Sequence, residues 1–92
     1  MLFVLVDTHA SKSEPVYFCG MTGIGPAMTR DLSEAREFDS WQDARRNGPA
    51  HWAAMFYEPI PANEDVILDV LTRPGWDWPA TPDEAATAWG QS

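Results

Sequence analysis

This chain is poor in cations and has a single cysteine. Six Lys and Arg stand against fourteen Asp and Glu in 92 residues, a formal charge of −8. The cations are scattered, with Arg45-Arg46 the one adjacent pair. Too few are available to neutralise a phosphate backbone, which disfavours direct nucleic-acid binding. An acidic surface is likewise repelled by anionic lipid headgroups. Cys19 has no second cysteine to pair with, so the chain is not a stapled secreted scaffold and suits a reducing cytoplasm. No apolar run approaches the roughly 20 residues that cross a bilayer. The opening Met1-Leu2-Phe3-Val4-Leu5-Val6 meets Asp7 with no basic stretch before it, so it reads as a strand and not as a signal peptide. Internal repeats and low-complexity tracts are absent too.

What is present is apolar content: 45% of the residues are hydrophobic. That is too much for a disordered acidic tail, and the length suits one small core, so residues 1–92 are expected to form a single domain. The run at residues 1–6 suggests a strand covered on both faces or central in its sheet. Residues 7–15 read as a loop, and Val16-Tyr17-Phe18-Cys19 as a second strand antiparallel to the first. Gly20, Gly23, Gly25 and Pro26 then break the chain, with Ala27-Met28-Thr29 adding a short extended piece.

Asp31-Leu32-Ser33-Glu34 has the spacing of a capping box and starts a predicted helix with Leu32, Ala35 and Phe38 on one face. Ser40-Trp41-Gln42-Asp43 repeats the arrangement, with Trp41 and Ala44 facing inward and Asn47-Gly48 closing the helix. A third strand is predicted over residues 51–57, ended by Glu58-Pro59-Ile60-Pro61, because two prolines cannot donate to a ladder. Asn63 caps a helix striped by Val66, Ile67, Val70 and Leu71, although a strand at 66–71 is also compatible with so short an apolar run. Thr81-Pro82-Asp83-Glu84 starts a last helix, with Gly90 as its exit. The expected fold is α+β: a small antiparallel sheet of about three strands with short helices packed on one side, in the order β-β-α-α-β-α-α.

Charge and aromatic residues are concentrated in the last third. Residues 58–92 hold seven carboxylates against one cation, Arg73, together with Trp76, Trp78 and Trp89. Aromatic residues supply contact area, while a field of one sign selects cationic partners and speeds encounter. Trp76-Asp77-Trp78-Pro79 cannot lie in a regular helix. It either folds back as a lid over the core or presents a tryptophan anchor to a partner. The candidate partner-binding residues are Trp76, Trp78, Asp69, Asp77, Asp83 and Glu84.

Catalytic alternatives are thinner. Cys19 with His51 or His9 offers a thiol and a base, yet Cys19 lies in an apolar strand, where free cysteine behaves as a small hydrophobe. Asp7, His9 and His51 are a workable ligand set for zinc or iron, but no spacing demands it. Gly20-Met21-Thr22-Gly23-Ile24-Gly25 has the wrong glycine order for a phosphate loop, and no lysine follows. No metal, cofactor or catalytic residue is assigned.

Thr29-Arg30-Asp31-Leu32-Ser33-Glu34-Ala35-Arg36-Glu37-Phe38-Asp39-Ser40-Trp41-Gln42-Asp43-Ala44, followed by a strand ending in Tyr57-Glu58-Pro59, resembles a pattern in small proteins of bacteriophages and prophages. The resemblance covers residues 16–59. It implies a phage origin and a host-cytoplasmic setting, since such proteins include inhibitors of bacterial defence, among them anti-CRISPR proteins, often small, acidic and non-enzymatic. The functional expectation is a protein-binding inhibitor that blocks a basic, nucleic-acid-binding surface of a host complex. A small enzyme using Cys19, His9 or His51, or a phage assembly subunit self-associating through Trp76 and Trp78, is the alternative.

Overall fold

The computed structural model describes residues 1–9, 14–48 and 57–90. Four strands form one antiparallel sheet: β1 (Phe3–Asp7), β2 (Tyr17–Thr22), β3 (Gly25–Thr29) and β4 (Tyr57–Pro61), in the order β3-β2-β1-β4. Three helices accompany them: α1 (Trp41–Asn47), α2 (Glu64–Thr72) and α3 (Pro82–Trp89). The class is α+β, as expected, with one strand more and one helix fewer among the described residues.

β1 is the axis of the sheet. Phe3, Val4 and Val6 have no exposed surface and Leu5 has 2%, so four consecutive side chains are covered although successive ones point to opposite faces. Each such aliphatic or aromatic burial stabilises the fold by roughly 1.5–3 kcal/mol relative to exposure. The helices therefore do not all pack on one side of the sheet. Val4, Val6, Tyr17 and Ile60 share a cluster with Ile67, Val70 and Leu71 of α2 and with Ala85 and Trp89 of α3. On the opposite face Leu5, Phe18 and Tyr57 meet Phe38 and, from α1, Ala44, while Trp41 of α1 joins the first cluster. A strand this apolar needs cover on both sides, and one-sided packing would leave Leu5 and Phe18 in water.

The helix expected after Asp31 is reduced to a 3-10 turn, Leu32–Glu34. Competing bonds explain the difference. Asp31 caps Ser33, through both its N–H and its hydroxyl. The reciprocal half of the capping box is lost, because Thr29 Oγ1 accepts from the Asp31 N–H while its own hydroxyl donates to Glu34. Phe38 is drawn into the sheet, exchanging both backbone bonds with Phe3 at 2.8 and 2.7 Å, and the Arg36 N–H donates to the Phe18 carbonyl. Residues 36–38 thus fill the gap where β1 and β2 part, which leaves Val6↔Tyr17 as the registered pair between those two strands. A two-turn helix has too few internal bonds to compete with that pairing.

The prolines of β4 are a second correction. They were expected to end a strand, yet Leu5↔Pro59 and Phe3↔Pro61 are registered pairs. Phe3 and Asp7 direct their backbone groups away from β4, to Phe38 and Val16, while Leu2 accepts from Ala62. By alternation, Pro59 and Pro61 turn their nitrogens to the open edge, where no donor is required. The strand expected over 51–57 falls almost entirely outside the described residues. The Val66–Leu71 alternative resolves as helix: Asn63 Oδ1 accepts from the N–H groups of Asp65 and Val66.

Ser40 caps α1 by accepting from the Asp43 N–H, and Trp41 and Ala44 are buried as expected. The helix closes so tightly on the sheet that a Cβ at Gly48 would lie 2.6 Å from the Ala44 carbonyl oxygen and 2.7 Å from Leu5 Cδ1. Gly48→Ala is expected to cost about 1–3 kcal/mol through overpacking, read as a fall in the urea midpoint at unchanged slope.

Burial also raises the phenol pKa of Tyr17, helped by the charge of Glu64, and that of Tyr57, helped by Asp7 and Cys19, above the ordinary value of 10.0. The folded state then holds these protons more tightly than the unfolded state. Their contribution is complete below the unfolded pKa and is lost as pH rises through the higher folded values. Urea midpoints measured from roughly pH 9 to 11 should fall, and less steeply in Tyr17→Phe.

Candidate functional site

The carboxyl-terminal layer is built by two well-capped helices and the link between them. α2 ends at Arg73, whose N–H donates to the Val70 carbonyl. Gly75 takes a left-handed φ of 73°, reversing the chain so that residues 76–79 return across the core. The Thr81 hydroxyl accepts from the Glu84 N–H and the Glu84 carboxylate accepts from the Ala80 N–H. The Thr81 cap and Pro82 at the first turn are as the sequence predicts, while the return bond of Glu84 goes to Ala80, one residue before the N-cap. Gly90, at φ 66°, closes α3.

Both predicted anchors are half-buried: Trp76 and Trp78 pack against the cluster that holds Val4, Ile60 and Trp89. Trp76 sits between the other two indoles, 5.2 Å from Trp89 and 6.1 Å from Trp78 in an edge-on contact. The segment therefore covers the core and keeps part of each ring at the surface. The indole nitrogens of Trp41, Trp76 and Trp89 are enclosed with no hydrogen-bond acceptor, each at a cost of about 1–3 kcal/mol. Burial outweighs this. An indole removes 150–250 Å² from water, about 4–6 kcal/mol at ~25 cal/mol per Å².

The acids divide into tied and untied groups. Asp69 pairs with Arg73 one helical turn on, and Glu58 pairs with Arg45 of α1. Burial pushes the Glu58 carboxyl up, with Arg45 pulling the other way. Of the seven carboxylates from Glu58 to Glu84, these two have cationic partners and five, Glu64, Asp65, Asp77, Asp83 and Glu84, have none among the described residues. All five are exposed. Glu64 also meets Asp31 and Glu37 around a hollow of about 420 Å³, a convergence of three distant acids that no local pattern announces.

An open cleft of about 410 Å³ lies beside Trp76, lined by Val66, Asp69, Val70, Arg73, Trp76 and Trp89 among others. The Arg73 guanidinium stands 5.2 Å over the Trp76 ring. Sequence reasoning named Asp69 and Trp76 and missed Arg73 and Trp89 as members of the same site. The i,i+4 spacing of Asp69 and Arg73 was the available signal, whereas the approach of Trp89 to Trp76 depends on the fold.

Of the catalytic alternative, Cys19 and His9 are among the described residues. Cys19 is half-buried at the irregularity in β2 between Phe18 and Gly20, and His9 is exposed beyond the end of β1, its N–H donating to Asp7. The Val6↔Tyr17 pair lies between them, with Cys19 two residues along β2 in one direction and His9 in the turn beyond the end of β1 in the other. His51 lies outside the described residues, among which no group of three or more His, Cys, Asp or Glu is placed to hold a metal. No helix among them is long and apolar enough to cross a membrane.

Trp89→Ala is expected to destabilise by about 3–5 kcal/mol, since that ring joins α3 to both the core and Trp76. Trp78→Ala, at the margin of the cluster, should cost less. Thermal melts of the two variants give the order.

Comparison with protein-family models, curated proteins and solved structures finds no match.

Proposed function

We propose that this chain is a non-enzymatic binding protein that occupies a basic, nucleic-acid-binding surface of a host defence complex and excludes its ligand. The observation that carries the reading is the imbalance in the carboxyl-terminal layer: five exposed carboxylates without cationic partners among the described residues, and one arginine already engaged by Asp69. Such a face raises the local concentration of a positively charged partner and speeds encounter. The half-buried tryptophans beside it supply the apolar area that charge alone lacks. The resemblance to small phage proteins supports the class of target.

Replacing Asp77, Asp83 and Glu84 by Asn, Asn and Gln keeps side-chain shape and leaves the Gln carbonyl able to accept the Ala80 bond. Capture of the partner from bacterial host lysate, followed by titration of the two purified proteins, is expected to show association slowed about tenfold or more at low salt. The difference should shrink as ionic strength rises. An affinity unchanged by all three amides would reject the charge account.

A further inference from the structure

The chain contains two Trp–Arg–carboxylate groups of the same composition in different settings. In one, Arg45 lies 5.4 Å over Trp41, pairs with Glu58 and reaches the Tyr57 carbonyl. Its ion-pair side chains are 31% and 19% exposed, and it fastens α1 to β4. In the other, Arg73 lies over Trp76 and pairs with Asp69, but those side chains are 48% and 62% exposed, and all three residues line the open cleft. This second group joins nothing beyond the end of its own helix to the adjoining link.

We infer that the cleft beside Trp76 is a receptor for an arginine side chain of the partner, with Arg73 as an intramolecular occupant that the partner displaces. The inference rests on the proposed binding of a basic protein surface and names the contact through which it occurs. An aromatic face beside a carboxylate suits a guanidinium, which stacks flat and pairs through its planar fork, where an ammonium acts only as a point charge. Arg73 itself demonstrates the fit, since its guanidinium already uses both contacts. Its hold is weak: an exposed i,i+4 ion pair and an exposed cation–π contact together amount to roughly a tenfold preference. Val66, Val70 and Trp89 give an incoming arginine an apolar wall for its methylene stem. The neighbouring untied acids favour the exchange when the arginine arrives on a basic surface.

The probe is a blocked nonapeptide with one central arginine, compared with the same peptide carrying lysine, titrated against the full chain and followed by indole N–H resonances. Arg73→Ala is expected to bind the arginine peptide more tightly than the parent chain, by up to about tenfold, with the lysine peptide little changed. Asp69→Asn and Trp76→Leu, each made in the Arg73→Ala background and checked for folding by circular dichroism, should remove the preference for arginine. Arg73→Ala should lower the melting temperature less than Arg45→Ala does. Equal or weaker binding of the arginine peptide to Arg73→Ala, or equal binding of the two peptides, would overturn the assignment. Because the assay contains no partner protein, that outcome is separate from the fate of the proposed function, which the lysate capture and amide variants decide.

Discussion

Everything in this fold is arranged around the enclosure of β1. Its four central side chains are covered on both faces, and its backbone is bonded on one side by β4 and on the other by Val16 and Phe38. A chain of 92 residues has little apolar area to spare, so one strand is shared by two clusters. That requirement decides several local contests. It draws Phe38 out of a predicted helix and into the sheet, and it brings α1 so close that Gly48 has no room for a side chain. It also places the two prolines of β4 with their nitrogens at the edge. Each of these segments has its own propensity, and in each the contact with β1 outweighs it.

Where local chemistry is complete within a few residues, the structure was legible in the sequence. The caps at Ser40, Asn63 and Thr81 bind the backbone groups that their spacing predicts, and Gly90 closes α3 as expected. The burial of residues 3–6 on both faces follows from their unbroken apolar run. The illegible parts are those settled by distant residues. Asp31 has the same capping pattern as Ser40 but loses its helix because Thr29 and Phe3 take the bonds it needs. Pro59 and Pro61 look like a terminator until the register shows which side of the strand they face. The candidate site divides the same way. Its acids and tryptophans are visible in composition, whereas their assembly with Arg73 and Trp89 into one cleft is a property of the folded chain.

The carboxyl-terminal layer serves the core and the surface at once. Trp89 and Trp76 seal the cluster over Val4 and Ile60, and the contact between these rings ties the end of α3 to the link that follows α2. Untied acids on a mobile tail would search for a basic partner at an entropic cost on binding. Held on short capped helices, Asp65, Asp83 and Glu84 are fixed before the encounter. The energetic penalty of this arrangement lies in the enclosed indole N–H groups, and the apolar burial is large enough to outweigh it.

Two settings of one chemistry separate structural from exchangeable contacts. Arg45 and Arg73 each meet a tryptophan face and a carboxylate, so composition alone assigns them the same role. Burial distinguishes them. Removing Arg45 leaves Glu58, already disfavoured as a charge by its surroundings, without its compensating cation, and unpaired charge in a part-buried site is costly. Removing Arg73 leaves Asp69 at the surface, where water replaces the lost partner at little cost. A contact that water can replace is also one that another guanidinium can replace. The weak pair, and not the strong one, therefore marks where a cationic partner has access.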